Sequence, residues 1–171
     1  GLVCVKPALA GGESRLVSST ALRDTIAAEY PDVIPLLERG FHYASRPEDR
    51  AAGAPAMTPH KVPVFGEIEG MPASFLLPIA IRNTEKSGYR LSNAEKEALT
   101  LLNTVAQRPA LCFEMDLRPG DVQFLNNRLI LHGRNDYEDA EILAEKRLML
   151  RLWLMMPDWP ARPSEQDMHA T

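Results

Sequence analysis

The strongest constraint on the fold is the C-terminal half of the sequence, a series of short β-rich segments separated by turn signals. The runs ALCFEMDL, VQFLNN, RLILHG and KRLMLRLWLMM each have the length and residue types of a strand, and RPGD is typical of a turn. Many short strands with a few helices indicate a jelly-roll or barrel core with helical covers. We therefore predict a mainly β fold with helices, of the α+β class, with residues 1–171 in a single domain.

The N-terminal half mixes strands and helices. LVCVKPA and RLVSS read as strands, and a helix is expected from Ser19 to just before Pro31, followed by a short helix, DVIPLLER, that ends at Gly40. Ser92 and Glu95 form a capping box that predicts a helix over SNAEKEALTLLNTVAQ. Helices are thus expected to cover the β core.

Three further segments have distinct patterns. Residues 45–63 are rich in Pro, Gly and Ala without apolar periodicity, which predicts a long surface loop and a candidate lid. VPVFGEIEGMPASFLLPIAI predicts a hairpin that turns near Gly70. Residues 157–171 are expected to be a tail.

The composition excludes several classes of partner. A net charge of -4 and a pI near 5.6 give no general attraction to nucleic acid or anionic lipid, so we expect no nucleic-acid or membrane partner. Cys4 and Cys112 lie in apolar strand-like runs without metal-ligand spacing, which predicts core thiols in a reducing compartment. We find no membrane-span or signal-peptide pattern, so a cytoplasmic location is expected.

The four histidines differ in their surroundings. His60, in the Pro-rich segment, and His169, in the tail, are expected to be solvated, and His42 either lines a pocket or occupies a surface strand. His132 shares a strand face with Ile130. Taken alone, that position favours a core histidine bonded to a backbone carbonyl over a metal ligand.

Two arginines in the last apolar run change this balance. Arg147 and Arg151 alternate with leucines, so both are predicted on one face of the strand. Burying a guanidinium group without a partner costs roughly several kcal/mol of folding free energy. Either this face is in contact with water, or an anion such as a carboxylate meets the two arginines.

These residues carry a family resemblance. LRPGDVQFLNNRLILHGRNDYED, followed by KRLMLRLWL and preceded by GGESRLVSS, resembles the C-terminal half of the taurine dioxygenase (TauD/TfdA) family, whose relatives include γ-butyrobetaine hydroxylase and clavaminate synthase. The family consists of iron(II) and 2-oxoglutarate dependent dioxygenases. The resemblance implies a double-stranded β-helix (jelly roll) of the clavaminate synthase type, incomplete at its N-terminus.

The resemblance also implies roles for individual residues. His132 matches the distal histidine of the family's iron site, and Arg147 matches the arginine that binds the distal carboxylate of 2-oxoglutarate, with the Ser14 hydroxyl beside it. Arg151 and Asn127 match positions that line the substrate pocket. The implied cofactors are Fe(II) and 2-oxoglutarate, with O2 and ascorbate in turnover.

The sequence departs from the family in one respect. The family's other two iron ligands form a His-x-Asp motif, but no histidine in these 171 residues has Asp or Glu two positions later. In the family this motif precedes the segment that matches GLVCVKPA, so we expect it upstream of Gly1. Without the His-x-Asp motif, these residues supply only one of the three protein ligands of the iron. Strands lacking their upstream partners would leave open edges, so we expect either more polypeptide or a partial core.

Three functions remain open at this level. The first is a dioxygenase that hydroxylates a small organic substrate with an anionic group, through oxidative decarboxylation of 2-oxoglutarate to succinate. The second is a non-catalytic member that binds a carboxylate without metal. A cupin-type isomerase or lyase is third, because it would need more clustered histidines. A homo-oligomer is compatible with each.

Overall fold

A computed structural model describes residues 1–154, 156, 159 and 160. Its strands are β1 (Leu2–Lys6), β2 (Ala10–Gly11), β3 (Ser14–Ser18), β4 (Phe65–Ile68), β5 (Met71–Ser74), β6 (Cys112–Met115), β7 (Val122–Gln123), β8 (Ile130–Arg134), β9 (Tyr137–Glu138) and β10 (Leu148–Arg151). Its α-helices are α1 (Ser19–Glu29), α2 (Ile34–Arg39), α3 (Pro47–Ala51), α4 (Pro78–Asn83) and α5 (Asn93–Ala106).

The strands that matter for the site form two three-stranded antiparallel sheets. One has the order β10-β1-β7 and the other the order β6-β3-β8, and β2 pairs with β9 and β4 with β5. This mixed architecture with antiparallel sheets confirms the predicted α+β class. A closed jelly roll is not seen in the described residues, where β8 and β10 are both edge strands.

The helices pack on one face of the β6-β3-β8 sheet. Helix α1 begins after Ser18, whose hydroxyl accepts a hydrogen bond from the Ala21 N–H at 3.3 Å. Its Leu22 and Ile26 are fully buried, as the predicted helical spacing requires. The core that they join also takes in Val17 of β3, and Leu131 of β8 packs against it. The opposite face of this sheet is therefore directed away from the helices.

The capped helix is confirmed as α5. Ser92 and Glu95 form both bonds of the capping box, and Ala98, Leu102 and Val105 are buried. Ala94, which is at helical spacing from Ala98, is exposed. Glu95 is buried, because hydrogen bonds satisfy its carboxylate.

The prediction of an unstructured surface loop over residues 45–63 was partly wrong. Helix α3 lies within it, since Pro47 occupies the first helical position and Glu48 and Asp49 the first turn. Thr58 and Val62 are buried and are hydrogen-bonded to the main chain around Phe41 and Tyr43. The part of the segment that these bonds leave free is therefore residues 46–55, between the bonded residues Ser45 and Ala56. A lid role stays a prediction.

Other segments depart from the predicted strands. The hairpin turns at Glu69–Gly70 as expected, but its second strand ends at Ser74 and PIAI lies in helix α4, which starts at Pro78. VQFLNN is a strand only over two residues. Of the predicted tail, 157–171, only residues 159 and 160 are described, so His169 lies outside the described residues.

The outer face of the β10-β1-β7 sheet is apolar. Leu148 and Leu150 lie on the opposite face of β10 from Met149 and Arg151, as the alternation predicted, and both are about half exposed. Val122 of β7 is also exposed on this face. Among the described helices, none has the length and apolar composition needed to cross a bilayer.

Candidate functional site

His132 lies on the face of its sheet that is directed away from the helices. It is paired with Leu16 of β3, while its neighbour Leu131 contacts the helical core. Directly opposed residues in an antiparallel pair share a face, so Ser14 and Leu16 lie on the same side as His132. His132 is exposed to solvent. The protein atoms around it still lower its pKa through burial, and the positive charges of Arg151 and of the N-terminus lower it further.

Ser14 joins this face to the second sheet. Its side chain is buried, and its hydroxyl accepts a hydrogen bond from the Gln123 amide nitrogen at 3.1 Å. The same amide contacts the Met115 sulfur at 3.3 Å. Because Ser14 belongs to β3 and Gln123 to β7, this contact shows that the two three-stranded sheets face each other here.

Arg151 lies on the inner face of the second sheet. In β1, Leu2 is paired with Arg151 on one side and with Gln123 on the other, so the three side chains share a face. Gln123 contacts Ser14, and the Arg151 charge acts on His132. Ser14, His132 and Arg151, which were predicted from the sequence, therefore lie on the facing sides of the two sheets, at the space between them. Ser14 is buried there, whereas His132 and Arg151 are exposed.

Arg147 lies just before β10 and is half-buried. A Cβ built on Gly12 would be 3.1 Å from its Nη1 atom, so the guanidinium occupies the space that a side chain at position 12 would need. The Tyr137 ring centroid lies 5.1 Å from the Arg147 guanidinium carbon. The Arg147 charge also lowers the pKa of the Cys4 thiol, although burial has the larger effect and raises it. The Arg147 guanidinium thus lies beside Gly12, which is two positions before Ser14 in the sequence.

The electrostatics of this space favour a small anion. In the part of the chain that the structure describes, neither Arg147 nor Arg151 forms an ion pair with a carboxylate. The nearby Asp139 carboxylate instead accepts the backbone N–H of Arg147 at 2.6 Å. A half-buried guanidinium without a carboxylate partner has donors free for a ligand, and its fork suits two carboxylate oxygens.

The described residues do not fit a complete metal site. They contain no group of three or more His, Cys, Asp or Glu side chains arranged to hold a metal ion. Together with the absence of a His-x-Asp motif from all 171 residues, this leaves His132 as a single ligand candidate. An arginine-lined anion site fits these residues, whereas a metal centre needs ligands from elsewhere.

The remaining sequence candidates lie outside the strands that border this space. Asn127 is exposed in the turn that precedes β8, and its role as a substrate residue stays a prediction. His42 Nδ1 is bonded to the Thr58 carbonyl at 2.8 Å and its ring packs edge-on against Tyr89. His60, expected to be solvated, is partly buried, and its Nε2 has no hydrogen-bond partner among the residues that the structure describes. This prediction was wrong because residues 57–63 pack against the core.

Sequence reasoning missed three residues of the site. Gln123 sits at an inner position of β7, and a polar residue inside the run VQFL was the available signal. Gly12 and Tyr137 both lie next to Arg147, because the β2–β9 pair holds the Gly11–Gly12 segment beside Tyr137. Two-residue strands have too little length to show a periodicity, so nothing in the sequence marked that pair.

Solved structures define the class of fold. The chain resembles an asparagine oxygenase in complex with Fe(II), (2S,3S)-3-hydroxyasparagine and succinate, with a TM-score of 0.62 and 17% identity over 86% of this chain and 42% of that one. It also resembles the non-heme iron oxygenase OrfP in complex with Fe and α-ketoglutaric acid, with a TM-score of 0.51 and 15% identity over 86% and 41%. The chain therefore shares the fold of part of these two structures.

Sequence comparison narrows the class to a family. Residues 1–153 match the family described as taurine catabolism dioxygenase TauD, TfdA family, and the chain belongs to this family. It is 29% identical over 172 residues to FR-33289 synthase of Streptomyces rubellomurinus (strain ATCC 31215), covering 98% of this chain and 50% of that protein. It is 28% identical over 160 residues to the taurine hydroxylase-like protein SAT17 of Stachybotrys chartarum (strain CBS 109288 / IBT 7711), covering 88% and 38%. The chain thus spans half or less of these relatives.

Proposed function

We propose that this chain forms the 2-oxoglutarate-binding part of an iron(II)- and 2-oxoglutarate-dependent dioxygenase that hydroxylates a small organic substrate. The observation that carries the proposal is the space between the two sheets, lined by Ser14, His132, Arg147 and Arg151 without carboxylate partners for the arginines among the described residues. Family membership and the ligands named for the two oxygenase structures support the same assignment.

Each residue has a distinct task in this proposal. Arg147 binds the distal carboxylate of 2-oxoglutarate through its guanidinium fork, and the Ser14 hydroxyl donates to the same group. His132 supplies one neutral imidazole ligand to the iron, and burial together with the positive charge of Arg151 lowers its pKa, which favours that neutral form. A complete iron site would need further ligands beyond those that the described residues provide. When bound, the iron would supply the oxygen activation that C–H hydroxylation needs.

Arg151 is proposed to face the substrate. It is on the same inner face as Leu2 and Gln123, and its charge acts on His132. An anionic group on the substrate would bring a negative charge to this guanidinium and thereby orient the reacting carbon toward the His132 side of the space. We therefore propose that the substrate carries a carboxylate or sulfonate group.

The test is formation of succinate from 2-oxoglutarate by the polypeptide as its gene encodes it, with Fe(II) and ascorbate. We expect turnover in the unsubstituted protein and its loss in His132→Ala. His42→Ala is the matched control, because that ring is bonded to Thr58 outside the two-sheet space. Equal succinate formation by the His132→Ala and unsubstituted proteins would refute the role of His132.

A second candidate is a carboxylate-binding protein that works without metal. Two observations favour it. The described residues contain no group of three metal-ligating side chains, and Arg147 and Arg151 have no carboxylate partner among them. It predicts that 2-oxoglutarate binding survives a metal chelator and disappears in Arg147→Ala, with no succinate formed. Binding that the chelator abolishes would exclude it.

A further inference from the structure

The Tyr137 ring contacts two guanidinium groups at the edge of the site. Its centroid is 4.3 Å from the Arg134 guanidinium carbon and 5.1 Å from that of Arg147. Cations within about 6 Å of an aromatic centroid are attracted by the negative face of the ring. Arg147 therefore has an aromatic partner that restricts its side chain, although it has no carboxylate partner in the described part of the chain.

The backbone builds this contact from two distant segments. Gly11 is paired with Tyr137 in the β2–β9 ladder, and the Gly12 N–H donates to the Asp136 carbonyl at 3.0 Å. The Asn135 N–H donates to the Glu13 carbonyl at 3.1 Å. These bonds tie the GGES turn to the segment after β8 and thereby fix where the Tyr137 ring stands.

Gly12 makes room for the guanidinium. Its φ of +81° favours glycine, and a Cβ there would be 3.1 Å from Nη1 of Arg147 and 3.2 Å from Cβ of Tyr137. Both distances are tighter than ordinary van der Waals contact. Gly12, Tyr137 and Arg147 thus form one packed unit, which we call the guanidinium cradle.

The main chain of Arg147 is held independently of its side chain. The Asp139 carboxylate accepts the N–H of Arg147 at 2.6 Å and the N–H of Ala140 at 3.2 Å. Asp139 is thereby engaged by the backbone. The second cation on the ring, Arg134, donates from Nη1 to the Asn135 carbonyl at 3.1 Å. Two like charges share one ring, so an anion bound at Arg147 would reduce their repulsion.

We propose that Tyr137 is a positioning residue, whose ring holds the Arg147 guanidinium in the orientation that binds the distal carboxylate of 2-oxoglutarate. This inference rests on the proposed function and adds a residue to it. A free arginine side chain loses much rotamer freedom when it binds, whereas a guanidinium already packed between Gly12 and an aromatic ring loses less. In this proposal Tyr137 acts only through Arg147, the guanidinium that its ring contacts.

The test compares two inert ligands by titration calorimetry of the Fe(II)-loaded, gene-encoded polypeptide without oxygen. N-oxalylglycine has both the chelating end and a distal carboxylate, and oxamate has the chelating end alone. We expect Tyr137→Leu to weaken N-oxalylglycine binding about three- to tenfold and to leave oxamate binding within about twofold. Tyr137→Phe keeps the aromatic face and is expected to bind both ligands within about twofold of the unsubstituted protein.

The control is Tyr30→Leu, since Tyr30 is 38% exposed and Tyr137 36%, and Tyr30 lies at the end of α1. Thermal unfolding checks that each variant is folded, and Tyr137→Met replaces Tyr137→Leu if the latter is not. Unchanged N-oxalylglycine binding in Tyr137→Leu, with loss in Arg147→Ala, would overturn the role of Tyr137 alone. Equal losses of affinity for N-oxalylglycine and oxamate would mean that Tyr137 only supports the fold and does not position Arg147. If the unsubstituted protein did not prefer N-oxalylglycine to oxamate, the proposed carboxylate site itself would fail.

Discussion

The carboxylate of Glu95 allows a quantitative prediction about the anchoring of residues 45–63. Its side chain is 7% exposed and accepts hydrogen bonds from Lys61 Nζ at 2.7 Å, the Tyr89 hydroxyl at 3.1 Å and the Ser92 N–H at 2.8 Å. Burial alone raises the pKa of Glu95, but the hydrogen bonds outweigh it and lower the pKa to about 2 from an ordinary 4.5. Lys61 lies in the segment proposed as a lid, so this network fastens the end of that segment to α5.

The sign of the pH dependence follows from the lowered pKa. The ionised carboxylate contributes its full stability above the unfolded-state pKa of 4.5, and the contribution is lost as the pH falls through 4.5 toward 2. At about 1.36 kcal/mol per pKa unit, the shift is worth about 3 kcal/mol over the whole window, of which about 2 kcal/mol is lost between about pH 6 and about pH 3. Glu95→Gln cannot titrate and lacks this loss.

The assay is the free energy of unfolding from urea titrations of both proteins at the two pH values. We expect the gap between the unsubstituted protein and Glu95→Gln to shrink by about 2 kcal/mol on going to the lower pH. Glu97→Gln is the control, because Glu97 is exposed on the same helix and forms no ion pair in the described chain. A gap that stays constant across the window would refute the assignment of the low pKa to this network.

Three shorter predictions concern the space between the sheets. Ser14→Ala should raise the half-saturating concentration of 2-oxoglutarate about tenfold in a succinate assay, because a buried hydroxyl donor is lost, whereas Ser14→Thr should raise it less. Gly12→Ala should lower the unfolding free energy by at least about 1 kcal/mol in urea titrations and weaken 2-oxoglutarate binding, since its Cβ meets Arg147 at a positive φ. Cys112 should be alkylated at least about tenfold faster than Cys4, which is 1% exposed with a raised pKa, as followed by mass spectrometry of thiol-labelled peptides. A Ser14→Ala protein that needs no more 2-oxoglutarate than Ser14→Thr would contradict the role of the hydroxyl. A Gly12→Ala protein with unchanged stability and 2-oxoglutarate binding would contradict the close contact with Arg147. Equal alkylation rates for the two thiols would contradict the burial of Cys4.

Local signals in the sequence were sufficient for several elements. Helices α1 and α5 were predictable because each starts at a side-chain cap and has buried apolar residues at helical spacing. Strands β1, β3, β6 and β8 were predictable from short β-rich runs bounded by turns. Helix α4 was not, because the apolar run FLLPIAI has no periodicity that separates a strand from a buried helix, and only Pro78 marked a helical start.

Site residues were predictable where the alternation of side chains along a strand decides which face they occupy. They were not predictable where residues far apart in the sequence come into contact. Strand alternation placed Arg151 and Met149 on one face of β10, which the register confirms. The contact of Ser14 with Gln123 joins residues 109 positions apart, and no local pattern encodes such a distance. The position of Tyr137 beside Gly12 and Arg147 likewise depends on the β2–β9 pair, which joins Gly11 to Tyr137 across a long stretch of sequence.

The central claim is that Arg147 of this chain binds 2-oxoglutarate, and the concentration dependence of succinate formation tests it most directly. Removing a charge-assisted, bidentate contact costs about 2 kcal/mol or more, so Arg147→Ala should raise the half-saturating concentration of 2-oxoglutarate at least about 30-fold. Arg39→Ala, an exposed arginine at the end of α2, should leave it unchanged. An Arg147→Ala protein that saturates at the same 2-oxoglutarate concentration as the unsubstituted protein would contradict the account.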